Sequence, residues 1–178
     1  MATLRKSSAY SRGRDRPYTR KSKKKSKSYV KTIPASTIVK FNMGNIKGYE
    51  ENKFPFILHM VSLERVQIRA NSLEACRQYI NKQIEKTYPG QYYFKISPYP
   101  HHIQRENKML TGAGADRMQT GMQLSFGKTI ARAAFVRPNE PIFTIATSNK
   151  KAEEFARKTL KTIKSKLPCR TKIINETK

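Results

Sequence analysis

Acidic residues are scarce. Asp and Glu number 12 against 37 Lys and Arg, a formal net charge of +25 on 178 residues. So few acids cannot assemble a paired-carboxylate site or a Ser-His-Asp arrangement, which weighs against an enzyme. Cysteine is nearly absent. Cys76 and Cys169 give neither a disulfide framework nor a metal-site spacing. Free thiols fit a reducing cytosol. The three histidines are His59, His101 and His102. The adjacent pair points to opposite sides of an extended chain, and no Cys or carboxylate cluster accompanies it. No metal or cofactor is therefore expected. No run of ~18 apolar residues occurs, so no membrane-spanning helix is expected. Residues 1–31 lack the apolar stretch of a secretory signal. What remains is a surplus of one charge sign. It repels itself and calls for a polyanionic partner rather than a membrane or a small-molecule substrate.

The surplus is uneven. Residues 1–31 carry twelve cations and a single acid, Asp15. Residues 32–147 carry 15 cations and 8 acids, and residues 148–178 carry 10 and 3. The first segment has too few large apolar residues to offset the entropy of ordering it. It reads as a basic N-terminal arm, disordered when alone. Arg12, Arg14, Arg16, Arg20, Lys21, Lys23, Lys24, Lys25 and Lys27 are its candidate phosphate contacts. A solubility tail or localisation signal is the plainer alternative.

Residues 32–178 read as one domain. Alternation at residues 37–41 predicts a strand, and residues 65–70 predict a second. There Val66, Ile68 and Ala70 face a core, while Arg65, Gln67 and Arg69 face outward. This makes Arg65 and Arg69 candidate RNA contacts. A helix follows, with Asn71 as its cap and Glu74 three residues on. Leu73, Cys76, Ile80 and Ile84 form its apolar stripe, and Pro89-Gly90 ends it. Cys76 therefore reads as a packing residue. Residues 92–96, 131–136 and 142–146 read as strands, the last two joined by a hairpin-length connection at 137–141. A second helix begins near Ser148, with Ala152, Phe155, Ala156, Thr159, Leu160, Ile163 and Leu167 inward. Lys161, Lys164 and Lys166 complement the C-terminal end of its dipole. Residues 172–174 predict a short returning strand. The order implies an α+β fold of two layers, with one mixed sheet packed against two helices.

One segment fits no scaffold. Residues 98–130 show no clear periodicity, and loops beyond ~12–15 residues are usually functional or disordered. Half of the chain's eight glycines lie here: Gly112, Gly114, Gly121 and Gly127. Arg105, Lys108, Arg117 and Lys128 punctuate it. Asn107, Gln119 and Gln123 can bond base edges or sugars. Met109, Leu110, Met118, Met122, Leu124 and Phe126 are too apolar for a solvated linker. Gly121 to Thr129 approximates a phosphate loop, but five residues separate its glycines where four are required, and no apolar strand leads in. A nucleotide-hydrolysing reading is therefore weak.

The run Lys108-Met-Leu-Thr-Gly-Ala-Gly-Ala-Asp-Arg-Met-Gln-Thr-Gly-Met122, followed by Phe126-Gly-Lys128, resembles the signature of a large-ribosomal-subunit protein family. This is the universal L-sixteen family, called L-ten-e in archaea and eukaryotes. Arg16-Pro-Tyr-Thr-Arg20, Phe41-Asn-Met-Gly-Asn45, Gln67-Ile-Arg-Ala-Asn-Ser-Leu-Glu-Ala75, Tyr99-Pro-His-His-Ile103 and Arg105-Glu-Asn-Lys-Met109 agree. The resemblance implies an α/β hammerhead that binds large-subunit rRNA beside the A-site cleft. It implies a loop reaching toward the tRNA acceptor end and the peptidyl transferase centre. Arg105, Lys108, Gly112, Gly114, Asp116, Arg117, Gln119, Gly121, Gly127 and Lys128 would be its tRNA-proximal residues. The implied partners are rRNA, tRNA and neighbouring ribosomal proteins, in cytoplasmic ribosomes. This chain departs from the family at Gln123-Leu-Ser-Phe-Gly-Lys-Thr-Ile130, which lacks a cation, a glycine and a proline usual there. That predicts a stiffer or rerouted far limb of the loop. The charge pattern alone fits a free-standing RNA-binding assembly or regulatory factor equally well.

Overall fold

In the computed structural model the described residues are 11, 24–28, 30–107, 112–114, 117, 122 and 127–177. Apolar runs in this chain pair into two sheets rather than one. The larger uses β1 (Asn42–Gly44), β2 (Phe56–Ser62), β4 (Tyr92–Ile96), β7 (Pro141–Thr147) and β8 (Thr171–Thr177). Their spatial order is β1-β4-β7-β2-β8. The smaller uses β3 (Val66–Arg69), β5 (His102–Glu106) and β6 (Lys128–Val136), in the order β3-β6-β5. Every pairing is antiparallel. This confirms an α+β fold and corrects the expectation of one mixed sheet. The connection after Val136 is short, yet it does not close a hairpin. It carries the chain from β6 in the small sheet to β7 in the large one. Alternation within a strand does not encode which sheet the strand joins.

A short helix α1 (Ile46–Glu50) follows β1, and two long ones, α2 (Ala70–Thr87) and α3 (Lys150–Ile163), supply the second layer. Their predicted stripes are the buried ones. Leu73, Cys76, Ile80 and Ile84 of α2 and Ala156, Leu160 and Ile163 of α3 share one core with Leu58, Met60, Tyr92, Phe94, Phe143 and Ile145 of the large sheet. Burial pushes the Cys76 thiol up to about 12, so it is a packing group and not a nucleophile. The opposite sheet face carries a smaller cluster of Phe54, Ile57, Tyr93 and Ala146. Tyr49 of α1 stacks on Tyr93 with ring centroids 4.1 Å apart.

Three local readings change. Residues 37–41 do not form a strand. Pairing begins at Asn42, one residue after Phe41, whose carbonyl accepts from the Ile96 N–H at 2.9 Å. Asn71 does not cap α2, because β3 runs straight into the helix and Arg69 occupies the cap position without a side-chain capping bond. Glu74 instead accepts from Arg77 Nε and Nη2 at 2.7 and 2.6 Å and from Gln78 Nε2 at 3.0 Å. The Arg77 hydrogen bonds hold its carboxyl below the usual carboxylate value. Strand β2 was not legible. Ile57, Leu58, Met60 and Val61 are all buried, so no polar alternation marks it.

Phe143 is fully buried and packs against Phe94 at 5.8 Å. Phe143→Ala is expected to cost about 3–5 kcal/mol of stability. Chemical denaturation followed by far-UV circular dichroism checks this; a loss below ~1 kcal/mol contradicts the core placement.

Candidate nucleic-acid interface

The segment 98–130 is not one long loop. His102 pairs with Ala133 and Glu106 with Lys128, with a bulge between Gln104 and Arg105. Strands β5 and β6 thus form a stem, and only residues 107–127 span its tip. His101 and His102 do point apart. His101 is exposed beside Tyr99, while His102 is buried 5.0 Å from Phe135. Lys128 and Thr129 open a strand, whereas a phosphate loop must lead into a helix N-terminus. The Gly-Lys-Thr sequence is therefore part of the stem. The far limb is β-structure from Lys128, the region where Thr129 and Ile130 depart from the family pattern.

Of the predicted loop residues, Lys108, Asp116, Gln119 and Gly121 lie outside the described residues. Gly112 and Gly114 have φ of 132° and 78° with open space about their α-carbons. The Arg117 N–H donates to the Gly114 carbonyl at 3.1 Å, and the Arg117 side chain is exposed. Arg105 is half-buried in the stem. Gly127 differs from the other two glycines. Its φ is 74°, and a Cβ there would strike the Glu106–Asn107 peptide, 2.5 Å from the Asn107 nitrogen. Gly127 closes the root of the loop, where only a residue without a side chain fits.

The arm and β3 are linked. The Gln67 N–H donates to the Ser11 carbonyl at 2.8 Å, which places Ser11 at the edge of β3 that β6 does not pair. Gln67 and Arg69 are 6% and 5% exposed. This corrects the expectation that they face solvent: β3 is covered on both faces. Arg65, just before the strand, is exposed and keeps its candidacy. Lys24 and Lys27 are exposed around a short 3-10 turn, Lys25–Lys27. Arg12, Arg14, Arg16, Arg20, Lys21 and Lys23 lie outside the described residues. Val30 is buried, and Arg132 Nε donates to the Pro34 carbonyl at 2.7 Å, which ties the chain after the arm to β6.

The helix layer holds cations that are not among the candidate contacts named above. Tyr88 meets Phe155, and Lys166 Nζ lies 5.6 Å from the Tyr79 ring centroid, so α2 and α3 run antiparallel side by side. Lys82 and Lys86 on α2, and Lys150, Lys151, Lys158 and Lys161 on α3, are exposed. Lys164, Lys166 and Arg170 extend the surface. Glu85 and Glu154 are the exposed acids of these two helices. Lysines on the polar side of each apolar stripe carried this signal in the sequence. His59 Nδ1 lies 3.0 Å from Thr144 Oγ1, and its Nε2 lies 3.1 Å from Glu176 Oε2. Among the described residues, no group of three or more His, Cys, Asp and Glu could hold a metal ion. No described helix is long and apolar enough to cross a membrane.

Gly127→Ala is expected to strain the root of the loop by roughly 1–3 kcal/mol. Hydrogen exchange should accelerate at the tip end of β5 and β6 while β2 and β7 stay protected. Unchanged exchange in the stem contradicts the closed site at Gly127.

Comparison with known proteins shows the family. A family model described as "Ribosomal protein L16p/L10e" matches residues 15–174. The chain is 40% identical over 172 residues to the large ribosomal subunit protein uL16 of Staphylothermus marinus, covering 96% of this chain and 92% of that one. It is 40% identical over 161 residues to that of Thermofilum pendens, covering 90% and 89%. It is 42% identical over 129 residues to that of Methanosphaerula palustris, covering 72% of each. With a match over nearly its whole length and relatives at this identity, the chain belongs to the ribosomal protein L16p/L10e family.

Proposed function

We propose that this chain is a structural constituent of the large ribosomal subunit, binding rRNA and doing no chemistry of its own. The carrying observation is the family match over residues 15–174 on a chain of net charge +25. Its relatives are named as large-ribosomal-subunit proteins. The exposed lysines of α2 and α3, Arg65 and the basic arm are suited to phosphates, which supply most of the affinity for RNA. Neighbouring ribosomal proteins would pack alongside. In this reading the two-layer fold is the family's α/β hammerhead, set beside the A-site cleft. The β5–β6 stem gives residues 107–127 a fixed base. From it the loop would extend toward the tRNA acceptor end and the peptidyl transferase centre.

Sedimentation tests the reading. The full chain expressed in cells should co-sediment with large subunits near one copy each and stay there at low salt. A chain left in the soluble fraction would falsify it, and selective capture of one small RNA would favour a free regulatory factor. Removing residues 1–27 should weaken rRNA binding and flatten its salt dependence, by roughly 0.9 in log–log slope for each duplex phosphate that the arm no longer neutralises.

Deleting residues 108–122 should leave the thermal unfolding of the domain nearly unchanged, because loop-closure entropy varies slowly with length. Translation by subunits carrying that chain should fall. Unfolding of the deleted chain, with the full chain stable, contradicts the separation of loop from scaffold.

A further inference from the structure

Beside the edge strand β1 lies a groove of about 500 Å³ that neither the helix-layer lysines nor the loop uses. β1 forms one wall and α2 the other. β1 is the last strand on its side of the sheet. The Phe41 carbonyl accepts from Ile96, and the Asn45 N–H donates to the Tyr92 carbonyl, each at 2.9 Å. Met43 stands opposite Phe94 between them. In an antiparallel ladder, bonded and non-bonded positions alternate. The backbone N–H and C=O groups of Asn42 and Gly44 therefore point away from β4, on the groove side. They form a short row of donors and acceptors of the kind an edge strand leaves open.

The α2 wall is polar and held in place. The Tyr92 hydroxyl donates to Glu85 and lies 2.9 Å from Asn81 Oδ1. Arg77 is clamped by Glu74, and its Nη1 lies 3.2 Å from Met43 Sδ. Val39, 74% exposed, lines the groove and offers an apolar surface, and exposed Lys40 follows it. The size falls in the range of pockets that hold a small organic group. A flat base can lie on Val39, its edge can meet the outward β1 groups and Asn81, and its phosphate can meet Lys40. An added peptide strand fits less well. β1 spans only three residues, too few to template a paired strand, and among the described residues Lys40 is the groove's one cation not held by a carboxylate.

We propose that this groove seats a single unpaired nucleotide of RNA, its base between Val39 and the edge of β1 and its phosphate at Lys40. The proposal rests on the reading of the chain as an rRNA-binding component. Unstacked bases are the usual targets of sequence-specific RNA recognition.

The test uses the full chain, labelled for NMR and titrated separately with the four nucleoside 5′-monophosphates and with inorganic phosphate. Amide signals of Val39, Asn42, Gly44 and Asn81 should move with at least one nucleotide and not with phosphate. Val39→Asp, at an exposed position that cannot disturb the core, should weaken that response roughly tenfold, the effect of removing the surface on which one base lies. Asn81→Leu should do the same. Movement confined to the helix-layer lysines, an equal response to phosphate, or no movement overturns the proposal. In large subunits, the Val39→Asp chain should sediment like the unmodified chain while one RNA position gains reactivity toward a 2′-hydroxyl acylating reagent. Unchanged reactivity overturns the groove and leaves the subunit role standing. Failure of the unmodified chain to sediment with large subunits overturns the role itself.

Discussion

The burial of β7 is the constraint from which the rest follows. Six of its seven residues, Ile142 to Thr147, are buried, and it pairs with β4 on one side and β2 on the other. Phe143 and Ile145 meet the long helices, while Ala146 joins the small cluster on the reverse face. A strand dry on both faces excludes charge from the middle of the molecule, because each buried ion costs several kcal/mol unless it is well paired. The Glu74–Arg77 pair, with side chains 12% and 13% exposed, satisfies that condition by a two-point contact. Arg69 is a further buried cation, but most of the other described cations lie at the surface.

The same strand positions the loop. Chain leaving β6 passes through Arg137 to Glu140 directly into β7. Asn139, in the left-handed region at φ 64°, donates to the Ser62 carbonyl at 2.7 Å, and the Ser62 N–H donates to the Glu140 carbonyl at 3.2 Å. That turn fastens the small sheet to the large one. β3 adds a second tie by running without a break into α2. The stem that carries residues 107–127 is thus continuous with the core at two points. Gly127 closes its outer end, since the Glu106–Asn107 peptide leaves no room for a side chain. A loop rich in glycine gains a defined origin from a scaffold that has very little freedom there.

The surface proposed for RNA has two chemical characters. Lysines on α2 and α3 are solvated point charges, suited to phosphates of any sequence. The groove beside β1 is different: open backbone groups, a clamped arginine and an exposed valine lie within one small volume. The first character follows from composition, because lysines opposite an apolar stripe must face outward. The second follows from topology, because it needs an edge strand laid next to a helix far from it in the chain.

The sequence by itself determined the partner class, the two long helices and the strands near residues 65–70, 92–96, 131–136 and 142–146. Those properties are local: helical spacing at Leu73, Cys76, Ile80 and Ile84 specifies a buried stripe wherever the helix docks. The loop signature likewise determined the family, since a long specific string needs no coordinates to be read. Only tertiary structure decided what depends on neighbours distant in the chain. It divided the strands between two sheets and covered Arg69 and Gln67, which alternation alone had turned toward water. It converted both ends of an apparent loop into a paired stem, and it opened the groove at β1. The physical reason is that periodicity reports which side of an element is apolar, while burial of the other side is set by whatever packs there.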